Sequence, residues 1–339
     1  AETKHQTRPD LPRTLAVMRL ADETAALNAV QSAAAAGAAA VWIRNTVDDV
    51  FTAADALRAD GLEVSIFHAR FAMGDRLAVE DRIVSRFGRR GSADARRGIL
   101  IATQVVEQSL DLDFDAMVSD LAPIDLLLQR ADRLWRHMER ARPLPRPVLA
   151  VVSPEPVDNA GARWFQDAFP RAAYVYKDHA LLWLTARHLF AREAWRIPED
   201  VRALMEAVDD GLTQGEFPKG LERNFLEERG RAQAHKSYAR ANLLRLNEGY
   251  AGDHGGWNVD VRVPTRVGDE TTTLRLARVE DDRLLPWCED GDPYRAWSLS
   301  VATRHFDQRG QAAKLAKLTP APYWRKVFDA SSTERRAAR

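Results

Sequence analysis

The chain has 339 residues, which is long enough for two domains that each bury a core. Hydrophobic residues make up 45% and charged residues 29%, which excludes a disordered chain, and 49 Lys and Arg against 49 Asp and Glu leave no net charge that would indicate a partner. The one cysteine, Cys288, excludes a disulfide framework and a cysteine-rich zinc site and is typical of a reducing compartment.

The N-terminal segment AETKHQTRPDLPR carries charges without the apolar region of a signal peptide, and it is typical of the end of a linker. It predicts that the chain is a piece of a longer polypeptide. The longest apolar stretches, such as residues 32–42, are too short and too rich in Ala and Gly to span a bilayer. We therefore expect a cytoplasmic protein with no membrane partner.

Residues 1–155 alternate between short apolar runs and helical patterns. The apolar runs predict buried strands, and the segments between them predict helices that end at glycines such as Gly37 and Gly61. In chain order the predicted elements are LAVMRL, ADETAALNAVQSAAAAG, AAVWIRN, TVDDVFTAADALRADG, LEVSIFHA, DRLAVEDRIVSRFG, GILIAT, AMVSDL, IDLLLQRADRLWRH and PVLAVVS. This alternation is typical of an α/β fold in which helices cover both faces of a parallel sheet.

The pattern changes after Ser153. Residues 164–195, IPEDVRALMEAVDDG and FLEERGRAQAHKSYARANLLRLN predict helices, whereas the remaining residues predict short strands separated by turns. We therefore predict an α/β lobe over residues 1–155, a helical linker and accessory region over 156–250, and a C-terminal domain with a small antiparallel sheet over 251–339.

Polar residues follow three of the predicted strands at the point where each strand ends. In parallel sheets ligands bind beyond the carboxyl ends of the strands, so these residues are candidates for a ligand site. They are Arg44, Asn45 and Thr46 after one strand, His68 and Arg70 after a second, and Thr103 and Gln104 after a third.

The stretch QRADRLWRH places three arginines at intervals of three residues, at positions 130, 133 and 136. Like charges this close repel one another, so their spacing indicates an anion. A helix with this pattern looks like an arginine-finger element, which stabilises charge on a transferring γ-phosphoryl group. The chain has neither a GxxxxGK[ST] loop nor a DExH tetrad, so another lobe would have to hold the nucleotide. A solvated, arginine-rich helix face is the alternative.

Residues 99–137, ILIATQVVEQSLDLDFDAMVSDLAPIDLLLQRADRLWRH, look like motifs V and VI of the type I CRISPR-associated helicase-nuclease. That family is a superfamily 2 DNA helicase recruited to the Cascade guide-RNA complex. WIRNTVDDV and FHARFAMGDRLAVEDRIVSRFG resemble its motifs IV and IVa, and RLARVEDDRLLPW and AWSLSVATRH are similar to its C-terminal domain. The resemblance implies a second RecA-like lobe followed by a mixed helical and antiparallel-sheet accessory domain.

The resemblance also implies roles for single residues. Arg133 and Arg136 match the arginine fingers, and Gln129 and Arg130 match residues that line the γ-phosphate side. Asp111 matches the motif V aspartate that reaches the nucleotide ribose, with Glu107 nearby. The family grips single-stranded DNA by its phosphates, and the matching positions are Arg44, Asn45, Thr46, His68, Arg70, Thr103 and Gln104.

The function implied is that of an ATP-dependent single-stranded DNA translocase, an enzyme that degrades target DNA in CRISPR interference. ATP and Mg²⁺ would be held mainly by a Walker-bearing first RecA-like lobe, so we expect no tightly bound cofactor and no activity in this chain alone. The implied partners are that lobe, an HD nuclease domain, single-stranded DNA and a Cascade-type complex in a prokaryote. A non-catalytic nucleic-acid-binding or docking module is the alternative.

The sequence departs from the family at Asp132, where a glycine is usual, and at Trp135. A carboxylate beside two arginine fingers would partly neutralise them and repel the γ-phosphate, so weaker ATP hydrolysis is expected. We expect no metal site, because Asp178–His179 reverses the HD order and no other cluster has metal-ligand spacing.

Several residues have a structural alternative. Thr46 could cap the following helix, Asn45 could lie in a turn, His68 could be a core histidine, and Asp111 and Asp113 could cap a turn. The basic clusters Arg86–Arg97 and Arg140–Arg146 could flank the DNA or lie in solvated loops. In the helical pattern after Ser153, a place in the core is predicted for Trp183, His188 and Trp195.

Overall fold

The computed structural model describes residues 13–107, residues 110–241 and four short strands between residues 271 and 302. The chain divides into two compact units, one of Ala1–Ala69 with Asp75–Phe225 and the other of Arg70–Gly74 with Leu226–Arg339. The first unit contains a seven-stranded sheet, and the predicted elements of residues 13–155 are present within a few residues of their expected bounds, except that the last predicted helix ends six residues early. The predicted α/β fold class is confirmed.

The sheet has the strand order β3-β4-β2-β5-β6-β1-β7. The first six strands are parallel to their neighbours, and β7 pairs antiparallel with β1. The strands are β1 (Arg13–Leu20), β2 (Ala39–Ile43), β3 (Val64–Phe67), β4 (Gly98–Ala102), β5 (Ala116–Asp120), β6 (Val148–Val152) and β7 (Ala194–Ile197).

Helices connect the parallel strands and continue beyond them. They are α1 (Glu23–Ala35), α2 (Val47–Ala59), α3 (Met73–Phe87), α4 (Ala93–Arg96), α5 (Ile124–Ala131), α6 (Trp164–Ala168), α7 (His179–Leu189), α8 (Val201–Gln214) and α9 (Lys219–Ala241), with 3₁₀ turns at Gln104–Glu107 and Ala172–Tyr174.

Local chemistry explains the strand and helix bounds. All five residues of β2, AAVWI, are buried, as expected for a strand with neighbours on both sides and helices on both faces. Asp22 and Thr46 accept hydrogen bonds from backbone N–H groups and cap α1 and α2. Gly37 and Gly61 follow the two helices at φ 78° and 81°, a left-handed conformation that glycine adopts without strain.

The long helix predicted over residues 164–195 is wrong in part. The segment forms α6, a 3₁₀ turn, α7 and then β7, because Asp178 starts a new helix at its N-cap and residues 194–197 pair with β1. Trp195 therefore lies in a strand rather than a helix. It is buried, as is Trp183, so their predicted place in the core is confirmed, and His188 is half-buried.

In the second unit, four short strands pair as two antiparallel ribbons. β8 (Thr271–Arg275) pairs with β11 (Ser298–Ala302), and β9 (Ala277–Glu280) pairs with β10 (Arg283–Pro286). The predicted antiparallel strands after residue 250 are thus present. Across the described part of the chain, no helix combines the length and the apolar character needed to cross a membrane.

Candidate functional site

The segment after α5 is a turn that leads into a loop paired with residue 114, rather than a continuation of the helix. We call residues 132–137 the arginine segment and residues 111–115 the aspartate segment. Phe114 N donates to Arg133 O at 2.8 Å, Trp135 N donates to Phe114 O at 3.0 Å, and Arg136 N donates to Asp113 Oδ1 at 2.9 Å. These hydrogen bonds take the place of helical ones, so the predicted helix over residues 124–137 is wrong beyond Ala131.

One carboxylate binds both arginines of the arginine segment. Asp132 Oδ2 accepts from Arg133 Nη1 at 2.6 Å and also pairs with Arg136 Nη1. The second guanidinium contact of Arg136 is to Asp111, with Nε 3.0 Å from Oδ1. Arg13 Nη2 also lies 3.8 Å from Asp132 Oδ1. The carboxylate of Asp132 is thus shared among arginines, in the arrangement expected of a carboxylate placed beside Arg133 and Arg136.

The two arginines differ in exposure. The side chain of Arg133 is 11% exposed and that of Arg136 is 33% exposed, while Asp111 and Asp132 are more open still. Burial lowers the pKa of Arg133, and the nearby charge of Arg136 lowers it further. Arg136 is therefore the better placed of the two to meet an anion from solvent. Gln129 lies exposed on α5, one turn before the arginine segment.

Arg130 has no exposed surface and serves as a hydrogen-bonding hub. Its Nε donates to Glu107 Oε1 at 2.6 Å, its Nη1 donates to Ser119 Oγ at 2.8 Å and to Asp120 O at 3.1 Å, and its Nη2 donates to Tyr176 Oη at 3.1 Å. A guanidinium with these partners holds the end of β5, the 3₁₀ turn at Gln104–Glu107 and Tyr176 together. In this conformation it does not line an open surface.

Glu107 is the acidic partner of that hub. Burial raises the pKa of Glu107, whereas the charge and hydrogen bond of Arg130 lower it, and the net direction is upward. Its backbone carbonyl also accepts from Arg133 Nη2 at 3.4 Å. Glu107 therefore connects Arg130 to the arginine segment. Gln108 and Ser109, which follow it in the stretch that resembles motif V, lie outside the described residues.

Arg44 follows β2 and is fully buried between two carboxylates. Its Nε donates to Asp120 Oδ2 at 2.9 Å, its Nη2 pairs with Glu23, and its guanidinium lies 4.3 Å from the ring centre of Trp42. Burial lowers the pKa of Arg44, but Asp120 and Glu23 outweigh that effect and raise it. The charge of Arg44 is thus compensated within the protein.

Asn45 and Thr46 also have internal partners. Asn45 is buried, its backbone N donates to Asp120 Oδ2 at 3.1 Å, and its Nδ2 donates to Leu121 O at 2.8 Å. Thr46 is the N-cap of α2, where Oγ1 accepts from Asp49 N at 3.2 Å and donates to Asp49 Oδ2 at 2.5 Å. Thr46 is half-buried, so it caps the helix and still reaches the surface.

His68, Thr103 and Gln104 follow the neighbouring strands β3 and β4. His68 is buried, and its ring meets Phe51 edge-on with centroids 5.3 Å apart, the packing expected of a core histidine. Thr103 is also buried. Gln104 is half-buried, and its Nε2 donates to Asn45 O at 3.0 Å and to Tyr176 Oη at 3.2 Å.

Arg70 is assigned to the other compact unit, where it is half-buried. The other predicted DNA-contacting residues lie in the first unit and follow β2, β3 and β4, which are neighbours in the sheet. The expected convergence at one edge therefore holds for these residues. Four of them, Arg44, Asn45, His68 and Thr103, have almost no surface there.

Sequence reasoning missed two groups of residues. One is Tyr176, whose hydroxyl joins Gln104 and Arg130, and which lies beyond the predicted lobe. The other is a buried ion cluster in which Asp113 and Asp115 pair with the arginines at positions 96, 140 and 142. The side chains of these three arginines point inward, onto the two aspartates, and are not solvated. The sequence feature that could have indicated this cluster is the alternation of Asp in DLDFD, in a chain that also has two arginine-rich stretches.

Among the described residues, no group of three or more His, Cys, Asp or Glu side chains is close enough to hold a metal ion. Asp178 is instead the N-cap of α7, where its Oδ1 accepts from Leu181 N at 2.9 Å, and His179 is buried within that helix.

The candidate site lies within a part of the chain that matches a known protein family. Residues 36–139 match the family model described as "CRISPR-associated nuclease/helicase Cas3, C-terminal". A curated protein named "CRISPR-associated endonuclease/helicase Cas3" from Thermus thermophilus is 38% identical over 234 residues, which are 68% of this chain and 21% of that protein.

Solved structures agree. The structure described as "Crystal structure of T. fusca Cas3-ADP" matches with TM-score 0.71 and 28% identity over 90% of this chain and 38% of that chain. A chain of a "CRISPR RNA-guided surveillance complex, pre-nicking" matches with TM-score 0.64 and 25% identity over 95% of this chain and 40% of that chain.

The family-model match, over residues 36–139, includes both segments of the candidate site. The chain spans about a fifth of the length of the curated relative and two fifths of the solved chains. The resemblance read from the sequence is confirmed by the family model, the curated relative and the solved structures together. These comparisons thus agree that the chain is similar to a C-terminal part of Cas3 nuclease/helicases.

Proposed function

We propose that this chain is the second RecA-like lobe and adjoining region of an ATP-dependent single-stranded DNA translocase in type I CRISPR interference. The observation that carries the proposal is the arginine segment, in which Arg136 is partly exposed beside Asp111 and Asp132. Support also comes from the match to T. fusca Cas3 structures described with ADP, ATP and AMPPNP. A Cascade-type complex is the proposed partner, since the matched surveillance complex is RNA-guided.

Within this proposal Arg136 is the arginine finger that stabilises charge on the transferring phosphoryl group. A guanidinium forms charge-assisted, often bidentate hydrogen bonds to phosphate, and those bonds are strongest where water is excluded. The backbone N–H of Arg136 donates to Asp113, which fixes the loop at this position. The Arg136 side chain can therefore leave Asp132 without a movement of the loop. Arg133, which is more buried, would assist it.

The nucleotide itself would be held mainly by a Walker-bearing lobe, since this sequence has no phosphate-binding loop. The residues of this lobe would line the opposite side of that nucleotide site. Asp111 is exposed and close to Arg136, a position from which a carboxylate accepts hydrogen bonds from ribose hydroxyls. Mg²⁺ would be coordinated outside this lobe, and its bound form supplies charge neutralisation for phosphoryl transfer.

Fewer residues are proposed to contact DNA than the sequence suggested. Thr46 and Gln104 are partly exposed at the carboxyl ends of β2 and β4, so they are the candidates at this edge for contacts to the DNA backbone. Arg70 is a third candidate, in the other unit. Four further residues would support this edge from inside the protein, because their polar groups are buried: Arg44, Asn45, His68 and Thr103.

Steady-state ATP hydrolysis by the full-length protein tests the nucleotide role. Replacing Arg136 by Ala should lower DNA-stimulated kcat by something on the order of 10³-fold, with ATP affinity changed far less. Arg97→Ala is the matched control, since Arg97 is an exposed arginine paired only weakly with Asp94 at 3.3 Å. If Arg136→Ala hydrolyses ATP like the parent, the lobe is a non-catalytic module and the proposal is wrong.

Salt titrations of single-stranded DNA binding test the contacts to the DNA backbone. If Arg70 contacts a phosphate, Arg70→Ala should weaken binding of every oligonucleotide sequence by a similar factor. It should also flatten the slope of log affinity against log salt by roughly 0.7, the value for one phosphate contact on a single strand. An Arg70→Ala protein with the parent's affinity and slope would remove this residue from the DNA path.

A further inference from the structure

The aspartate segment and the arginine segment meet over a buried ion cluster. Asp113 Oδ1 accepts from Arg142 Nη2 at 2.9 Å, and Asp113 Oδ2 lies 3.0 Å from Arg140 Nε and 3.5 Å from Arg96 Nη2. Asp115 Oδ1 lies 2.7 Å from Arg142 Nη1 and 3.4 Å from Arg96 Nη2. Both aspartates are nearly inaccessible to solvent, as are Arg96 and Arg142.

The arginines of this cluster come from two loops that are distant in sequence. Arg96 ends α4, whereas Arg140 and Arg142 follow the arginine segment. Each also donates to backbone carbonyls: Arg96 to Phe87, Arg140 to Arg89 at 2.8 Å, and Arg142 to His137 at 2.7 Å. The cluster therefore fastens the loop after α3 and the loop after residue 136 to the same pair of carboxylates.

The two aspartates differ in one respect that bears on the arginine segment. Asp113 Oδ1 accepts the backbone N–H of Arg136 at 2.9 Å, whereas Asp115 Oδ2 accepts the backbone N–H of Ala39 at 2.8 Å. Asp113 thus sets the backbone position from which the Arg136 side chain extends. Asp115 serves the start of β2.

We propose that Asp113 is a positioning residue for Arg136, and that the arginines at 96, 140 and 142 hold its carboxylate in place for that task. The inference rests on the function proposed above for Arg136. If the buried carboxylate of Asp113 lost its charge, Arg140 would lose its carboxylate partner, and Arg96 and Arg142 would share Asp115 alone. The loops that these arginines hold would then shift. Arginine fingers act through placement, and a misplacement of about 1 Å can cost a factor on the order of 10² in rate.

A double-mutant cycle in the full-length protein tests this inference. Asp113→Asn should lower kcat for DNA-stimulated ATP hydrolysis roughly ten- to hundredfold, with KM for ATP within about twofold of the parent, because the lost property is the alignment of Arg136. In an Arg136→Ala background, Asp113→Asn should lower kcat no further, since the group it positions is gone. Rates are expressed per folded molecule.

Asp115→Asn is the matched control. It disturbs the same ion cluster and should lower the melting temperature to a similar extent, but its carboxylate does not contact Arg136, so its loss of kcat should be much smaller. Should Asp113→Asn fail to fold, Arg140→Met takes its place, because Arg140 pairs with Asp113 and not with Asp115. It should show a smaller loss of kcat that again disappears in the Arg136→Ala background.

Three outcomes overturn the inference. Equal losses of kcat in the parent and Arg136→Ala backgrounds would mean that Asp113 acts on something other than Arg136. Equal losses for Asp113→Asn and Asp115→Asn would mean that only general stability is affected. Both of these leave the proposed function intact, whereas an Arg136→Ala protein with the parent's kcat would remove the proposed function as well.

Discussion

Two regions of this lobe carry arginines that the sequence marks equally as anion ligands, and the structure treats them in opposite ways. Arg44 follows β2, and Arg130 extends from α5 to the carboxyl end of β5. Both are fully buried and hydrogen-bonded to carboxylates and carbonyls of the protein. In the arginine segment, Arg136 is a third exposed and shares its carboxylate partner with Arg133. Only the second region keeps an arginine that can exchange an internal partner for an external anion.

The comparison shows that burial and counter-charge, rather than residue type, separate structural arginines from ligand-binding ones. A buried guanidinium that forms several internal hydrogen bonds loses them if it turns outward, and its carboxylate partners are then left without a counter-ion. A half-exposed guanidinium on a surface carboxylate gives up about 0–1 kcal/mol when it changes partner.

Removing the hub should destabilise the fold far more than any change in the arginine segment. Arg130→Met leaves Glu107 buried without its cation, and breaking a buried pair in this way costs about 3–5 kcal/mol. The free energy of unfolding, from chemical denaturation followed by tryptophan fluorescence, measures the loss. Arg97→Met, at an exposed position, should change it by no more than about 0.5 kcal/mol. Similar losses for the two variants would contradict the hub.

A substitution at Arg44 tests whether this region contacts DNA. Arg44→Lys keeps the charge but loses the fork that joins Asp120 and Glu23, so we expect a stability loss of roughly 1.5–3 kcal/mol, the range for a hydrogen bond to a charged group. Affinity for single-stranded DNA per folded molecule should be unchanged, because Arg44 is buried. Melting curves set beside DNA titrations give both quantities. Weaker DNA binding at unchanged stability would return Arg44 to the DNA path.

The sequence predicts the sheet well because each strand is a continuous apolar run that can be recognised from its own residues. The same holds for the caps of α1 and α2, where Asp22 and Thr46 each act on residues three positions away. The arginines are different. The partner of Arg44 is 76 residues away and that of Arg13 is 118 residues away, so spacing along the chain carries no information about them.

The end of α5 illustrates the same limit. The stretch IDLLLQRADRLWRH has a helical pattern throughout, yet the backbone N–H groups of Trp135 and Arg136 donate to the aspartate segment, 21 and 23 residues earlier, instead of to the preceding helical turn. Trp135 adopts φ 52° there, a left-handed conformation that its side chain would not favour in isolation, and its Nε1 donates to Asp115 O at 3.0 Å. Tertiary hydrogen bonds override local propensity at this point.

Tyr176 offers a smaller change within the buried region. Tyr176→Phe removes the hydroxyl that joins Gln104 and Arg130 but leaves both with a bond to Asn45, so stability should fall by about 1 kcal/mol. Burial raises the pKa of this phenol, consistent with a neutral hydroxyl that accepts from both groups. Unfolding of the variant beside Tyr174→Phe, at an exposed tyrosine, measures the difference. Equal stability of the two variants would show that this hydroxyl contributes nothing.

Asp132 gives the smallest effect and the sharpest test of the exposed region. Its carboxylate pairs with both Arg133 and Arg136, so it competes with a phosphate for them and repels the phosphate's charge. Asp132→Asn keeps the shape of the side chain at the end of α5 and removes the charge. With a surface pair contributing roughly 0.5–1 kcal/mol, kcat/KM for ATP should rise about two- to fivefold.

The direction of the change in ATP hydrolysis distinguishes two roles for Asp132. A rise that shrinks as salt is added fits a competing carboxylate, because salt screens exposed charges with a Debye length of about 8–10 Å at ordinary ionic strength. A fall in kcat would show instead that Asp132 holds the arginines ready for the phosphate, and that its loss lets them scatter. Asp94→Asn, at an exposed carboxylate that pairs with Arg97, should leave kcat/KM unchanged and controls for a general effect of charge.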